Sequence, residues 1–326
     1  LGLGLGRGGG VAAGGGSVVG GPGAGRGGVR EREDGRRAAQ VVLGEPAGGV
    51  GQDVQGLLAV RAQDLRAARL AIRSRTAGLT AADVDRELND RTLVVTWLNR
   101  GTLHLVQPQD YWWLQRLTTP QLATGNAKRL EQEGVSPSQA DRGVAVIEAA
   151  IAANGPMTRT QLREIVSAVD VPVGGQAMVH ILFLSALRGL TIRGPVVGRD
   201  QAFVLVRDWL GKPPKVTDRD TAVAELARRF LVGHGPADAR DLARWAGITL
   251  GDARRGMGAI RAVLEDRPGG LVDQAGRPEA KCRRRPQPLA GLHPLLPRWH
   301  HPRPAPAPNP PHARTQRRHH QPPHVP

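Results

Sequence analysis

A single cysteine, Cys282, stands in 326 residues. One thiol excludes an internal disulfide and any zinc site built on several cysteines. No cluster with metal-ligand spacing, no P-loop and no serine-hydrolase elbow occurs, so neither a metal nor a cofactor is expected. Aromatic side chains are scarce, at 3% of the chain, and no run of 18 apolar residues is long enough to cross a bilayer as a helix. The opening LGLGLGRGGG lacks the basic start and the continuous apolar stretch of a secretion signal. These absences point to a reducing cytoplasm, with the nucleoid as the expected location.

Glycine (43) and proline (26) are plentiful but unevenly spread. Residues 1–42 are glycine-rich, with a charged patch at Arg30–Arg37. Gly4, Gly6 and Gly9 form a nominal GxGxxG, yet no strand leads in and no helix follows, so a flexible tract is the better reading. Residues 281–326 hold seven of the ten histidines, many prolines and no Asp or Glu. Such a segment cannot bury a core and is expected to be disordered. Its Arg, Pro, Ala and His content is also what GC-rich DNA yields when read out of frame. The other reading is a basic tail that binds nucleic acid loosely.

The formal charge is +16, but its placement matters more than its size. The tail contributes +9 and the head +3, which leaves only +4 for residues 43–280. A polyanionic partner must therefore be argued from placed cations rather than from the total.

The middle zone repeats one pattern. Ser136-Pro137-Ser138-Gln139 is a capping box with proline at the first helical position, and Val144, Ile147 and Ile151 follow on one face. Asn154-Gly155-Pro156 stops that helix, and Thr158 with Gln161 opens a second. A third is predicted over 176–187, then strands over 190–193 and 203–206. Helix, helix, helix, hairpin is the winged-helix order. The pattern recurs 80 residues later, where His234-Gly235-Pro236 matches Asn154-Gly155-Pro156. Asp238 with Asp241 and Thr249 with Asp252 are the next caps, and only Gly270–Asp273 is left for a wing. Upstream, helices are predicted over 53–60 and 64–75, and another from Thr80 to Leu88. A hairpin over 93–106 then turns at Asn99-Arg100-Gly101. The expected class is mainly α with small β-hairpins (α+β). Tandem winged-helix units are expected at 43–118, 136–208 and, incomplete, 217–280.

Candidate DNA contacts follow from this placement. Arg66, Arg69 and Arg73 share one helical face, either lined up along phosphates or salt-bridged to nearby acids. The third helix of the second unit offers Gln176, His180 and Arg188 but is strongly apolar, so it is either a groove reader or a packing helix. Arg254, Arg255 and Arg261 are the stronger candidates in the third unit, and Arg100, Arg193 and Arg199 lie in or near wings. Tyr111-Trp112-Trp113 either stacks on a base or belongs to a core between units.

The stretches LLAVRAQDLRAARLAIRSR (57–75) and VVTWLNRGTLHLVQPQDYWWLQRL (94–117) resemble the bacterial winged helix DNA-binding domain-containing family, which includes AlkZ/YcaQ-type DNA glycosylases. The resemblance spans about residues 43–275 and implies three winged-helix units followed by a β-rich part. It also implies a Gln-x-Gln or Gln-x-Asp motif that positions the water attacking the sugar C1′. The matching triplet here is Arg61-Ala62-Gln63. Gln63 keeps one position, while Arg61, which accepts no hydrogen bond, departs from the other. Arg100-Gly101-Thr102-Leu103-His104 matches the family hairpin. There Thr102 and His104 either meet DNA or, for the histidine, serve the strand. The expected function is binding of double-stranded DNA by a monomer. One alternative is a DNA glycosylase acting on alkylated or crosslinked bases, and another is a truncated product without function.

Overall fold

A computed structural model describes residues 48–215 and 217–277. The expectations for 1–42 and for 281–326 lie outside the described residues. Among the described residues no helix is long and apolar enough to cross a membrane.

The chain builds three winged-helix units, and in each a short edge pairing follows the first helix. The first unit runs α1 (Val50–Leu57), β1 (Val60–Arg61), α2 (Leu65–Arg73), α3 (Ala81–Asn89), β2 (Val94–Leu98) and β3 (Thr102–Val106). Two connecting helices follow, α4 (Pro108–Thr118) and α5 (Ala123–Gln132). The second unit has α6 (Pro137–Asn154), α7 (Arg159–Ser167), α8 (Ala177–Leu187), β4 (Thr191–Val197) and β5 (Asp200–Leu205). After the short α9 (Val206–Trp209), the third unit has α10 (Arg219–His234), α11 (Ala239–Ala246), α12 (Leu250–Ala259), β6 (Leu264–Arg267) and β7 (Leu271–Gln274).

The helix starts obey their caps. Ser136 accepts from the Gln139 amide, Thr158 from Gln161, Asp238 from Asp241 and Thr249 from Asp252. Each satisfies an amide that the first turn leaves unpaired, worth about 1 kcal/mol. Periodicity predicts helix through Val60, but α1 stops at Leu57, because Leu58 turns into positive φ (66°) and Val60 pairs with Leu105. The third hairpin is also fuller than Gly270–Asp273, since Leu264–Arg267 supplies the partner strand.

The first two hairpins do not stand apart as separate wings. Val95 pairs with Arg193, so five strands form one sheet in the order β1-β3-β2-β4-β5. Alternate residues face opposite sides of a sheet, and here both sides are buried. Val95, Trp97, Leu103, Leu105, Phe203 and Leu205 enter a core with the helices of the first and second units. Val94, Leu98, Val106, Ile192 and Val204 enter a second core with α4 and the third unit. This explains the unbroken burial of Val94–Leu98.

Of the two readings of α8, packing is the one the structure shows. Ala177, Met178, Ile181, Leu182, Ser185 and Ala186 are buried, and no residue of the helix is fully exposed. The third unit docks on the first through α10. Arg229 bonds the Asp110 carboxylate and, at 2.9 Å, the Gln55 carbonyl. A Cβ on Gly233 would stand 2.8 Å from the Gly56 carbonyl oxygen, so the backbones of α1 and α10 meet closely at that glycine.

Candidate nucleic-acid interface

The units differ where the edge pairing meets the second helix. In the second unit Met157 pairs with Phe203, and Thr158, the cap of α7, follows immediately. In the third, Ala237 pairs with Val272 and Asp238 caps α11 at once. In the first, pairing begins at Val60 and the cap is Asp64, which accepts from the Arg66 amide at 2.9 Å. Three residues, Arg61, Ala62 and Gln63, lie between. Ala62 is buried and its amide donates to the Leu103 carbonyl at 2.7 Å, so Arg61 and Gln63 on either side of it are exposed.

Gln63 is held in place. Its Oε1 accepts from the Leu103 amide at 3.2 Å. An amide oxygen has two lone pairs, so one remains with the Nε2 donors to orient a water or a substrate atom. A neutral amide takes up no proton at ordinary pH, so its chemistry is positioning. Arg61 sits across from His104, which in turn sits across from Thr96, so the three form a row over β1, β3 and β2.

His104 faces inward, with 7% exposure, rather than outward to a ligand. Its Nδ1 lies 2.8 Å from the Thr102 carbonyl. A carbonyl can only accept, so Nδ1 carries the proton. Burial lowers its pKa to about 4, with Arg61 and Arg100 adding to that effect and the Thr102 bond opposing it. The ring is therefore neutral at pH 7 and bonded within its own hairpin. Arg100, at the exposed turn, acts on the same ring as Arg61, so both cations lie near it. Thr102 is half-buried and pairs with Leu98 beside the turn.

The other predicted cations divide. Arg66 and Arg73 are exposed and form no ion pair among the described residues, whereas Arg69 between them donates to Asp85 at 2.9 Å. The stripe on α2 thus presents two guanidiniums. Arg193 turns inward, with its guanidinium carbon 5.1 Å from the ring centres of both Trp97 and Phe203. Burial and the charge of Arg159 bring its pKa down to about 10. It sits at the seam of the two hairpins instead of on a wing, because Val95 pairs beside it. Arg199 is exposed beside the β4–β5 turn. Arg188 bonds Asp141, and Arg255 bonds Asp252 and lies 3.4 Å from Asp220. Arg254 is exposed without an ion pair among the described residues. The structure thus brings Arg61, Gln63, Arg100, Thr102 and His104 together, and Arg66 lies one turn beyond on α2.

Tyr111 is fully buried, while Trp112 and Trp113 are half-buried and line an open cleft of about 280 Å³ with residues of α10 and the strap before it. Sequence reasoning missed this cleft, since Lys215 and Arg219 lie about 100 positions from the indoles. Among the described residues no group of three or more His, Cys, Asp or Glu is placed to hold a metal.

The fold thus defines a tandem winged-helix protein whose first unit carries an extra Arg61–Gln63 step with Arg61 and Gln63 exposed. The family model described as DNA glycosylase AlkZ-like matches residues 54–299, and the chain belongs to that family. The match reaches into the basic segment after residue 281. An interstrand DNA cross-link repair glycosylase of Streptomyces sahachiroi is 30% identical over 208 residues, which are 60% of this chain. The chain spans about half of that relative's length, 54%. The solved structure of Streptomyces sahachiroi DNA glycosylase AlkZ superposes with a TM-score of 0.62. It is 24% identical and covers 76% of this chain and 70% of its own, a likeness of fold.

Proposed function

We propose that this protein is a DNA glycosylase that binds duplex DNA over its first unit and excises N-alkylated bases, including alkylated bases that join the two strands. One observation carries the reading. The three residues that set the first unit apart place Gln63 at the surface with its amide oriented by the Leu103 amide. A water held by the remaining lone pair and by Nε2 attacks the sugar C1′. The C1′–N bond breaks as the new C–O bond forms, the base leaves with the bonding electrons, and the water proton passes to solvent. A cationic alkylated base leaves neutral, so no general acid is needed.

Arg61 has a defined part in this scheme. It accepts no hydrogen bond, and beside an oxocarbenium-like carbon its charge is unfavourable unless a phosphate offsets it. We assign it, with Arg66 and Arg100, to the phosphates flanking the lesion, where they set orientation rather than sequence preference. Membership of the DNA glycosylase AlkZ-like family supports excision over binding alone.

The second reading, duplex binding without excision, is favoured by Arg61 standing beside Gln63. Incubating the full chain with a duplex carrying one N7-methylguanine, then cleaving abasic sites with alkali, separates the two. Strand breaks at the lesion are expected. An intact lesion strand under conditions where the duplex is bound would leave binding alone.

A further inference from the structure

The cleft between α4, the strap residues Pro214, Lys215, Thr217 and Asp218, and the start of α10 combines two kinds of surface that the first unit's site does not use. One is aromatic. Trp112 and Trp113 are half-buried, each with part of its ring on the core and part lining the cleft. Both rings are oriented by their neighbours. Trp113 Nε1 donates to Asp110 at 3.2 Å, and Trp112 stands edge-on to Tyr111 with ring centres 5.2 Å apart. The other surface is cationic. Arg116 and Lys215 are exposed and carry no ion pair among the described residues. Arg219 is tied to Asp252 at 2.8 Å but remains half exposed.

The one acid in the lining, Asp218, forms no ion pair with these cations among the described residues. Its carboxylate caps α10, accepting from the Thr221 amide at 3.0 Å and from the Thr221 hydroxyl. Two cations without an ion-pair partner among the described residues therefore border two oriented indoles in about 280 Å³, near the lower end of the size range of small-molecule sites.

A ligand that satisfies both surfaces is flat, aromatic and anionic. We infer that this cleft binds a nucleotide, with its base against the indoles and its phosphate at Arg116 and Lys215. Base–aromatic stacking tolerates any base, because every base has a π-face. In a DNA-bound complex the occupant is an unpaired nucleotide of the strand, and this strand-bound form rests on the DNA-binding reading above. A free mononucleotide carries the same chemistry, and the two sources are separable by experiment.

The test uses the full chain and four probes: an octamer of thymidylate, an octamer of abasic phosphodiester of equal charge, dTMP, and an undamaged duplex. Binding is read by tryptophan fluorescence and by competition against a labelled octamer. The thymidylate octamer is expected to bind about tenfold more tightly than the abasic one, near the weaker end of one stacked base. Trp112→Ala is expected to erase that ratio and Trp112→Phe to keep most of it. Lys215→Glu, on the exposed strap where folding is not at stake, is expected to weaken both octamers while leaving their ratio intact. If dTMP competes as well as the octamer, the occupant is a free nucleotide; if it competes poorly, the occupant is a strand. Equal affinity for the two octamers, or a ratio untouched by Trp112→Ala in a folded protein, overturns the inference. The duplex arm keeps the readings apart. Duplex binding with no octamer discrimination defeats the cleft alone, and discrimination without duplex binding defeats the DNA reading of the first unit alone.

Discussion

His104 should make its own contribution to stability fall on acidification, and the structure sets the size of that contribution. The imidazole is buried beside Arg61 and Arg100, and its pKa falls from 6.5 to about 4. In the unfolded chain the same ring titrates near 6.5. Between these values the unfolded state holds a proton that the folded state refuses, so the contribution of this group is full above pH 6.5 and declines as pH falls toward 4. A tenfold difference in proton affinity is worth about 1.4 kcal/mol. The whole gap is then worth about 3 kcal/mol, and the part lost between pH 8 and pH 4.5 roughly 2.5 kcal/mol. His104→Asn is the control, because its side-chain amide can still donate to the Thr102 carbonyl yet cannot ionise. Urea unfolding of both proteins at pH 8 and 4.5 isolates the term, since every other titrating group is shared. The wild type is expected to lose about 2.5 kcal/mol more than the variant. Equal losses would refute both the burial argument and the inward placement of the ring.

Gly233→Ala places a methyl 2.8 Å from the Gly56 carbonyl oxygen and 3.0 Å from Leu57 Cα. Backbone cannot yield as a side chain can, so a loss of about 1–3 kcal/mol is expected in urea unfolding, and a neutral result would contradict the close approach. Arg229→Ala leaves the nearly buried Asp110 carboxylate without its cation and removes the bond to Gln55, so about 3–5 kcal/mol should be lost. An unchanged midpoint would show that α10 docks by apolar contact alone. Burial raises the Asp53 carboxyl to about 7 against the opposing charge of Arg75. The folded state keeps this proton after the unfolded state has released it near 3.8, so this group makes stability fall as pH rises from 4 to 7. Titrating stability over that window should show a downward component in the wild type that Asp53→Asn lacks.

Much of the fold is written in short-range signals. The caps at Ser136, Thr158, Asp238 and Thr249 sit where hydroxyl or carboxylate precedes Gln or Asp by three residues, and each starts a helix as that chemistry requires. The turn at Asn99-Arg100-Gly101 was equally legible, since Asn99 and Gly101 both take positive φ. What the sequence hid is long-range. Two residues, Val60 and Arg61, are too few to show a period, and they become a strand only because Leu105 and His104 lie alongside. The joining of the hairpins at Val95 and Arg193 cannot be read from either strand, and it decides that Arg193 packs half-buried against Trp97 while Arg199 stays outside. Whether an arginine is available also depends on acids elsewhere, as Asp85 is for Arg69 and Asp141 for Arg188. Within the candidate site, the family resemblance pointed to Gln63. The reason it stands out physically, three extra residues before the cap, emerges only when the edge pairings of the three units are compared.

The most direct test of the account is single-turnover excision of N7-methylguanine from duplex DNA by the full chain and by Gln63→Ala, with binding of the same duplex measured alongside. The account predicts excision by the wild type and a loss of about 100-fold or more in the variant, as for removal of one positioning group from a transition state, with duplex affinity nearly unchanged. Equal excision by the two proteins, or none by a wild type that binds the duplex, would contradict it.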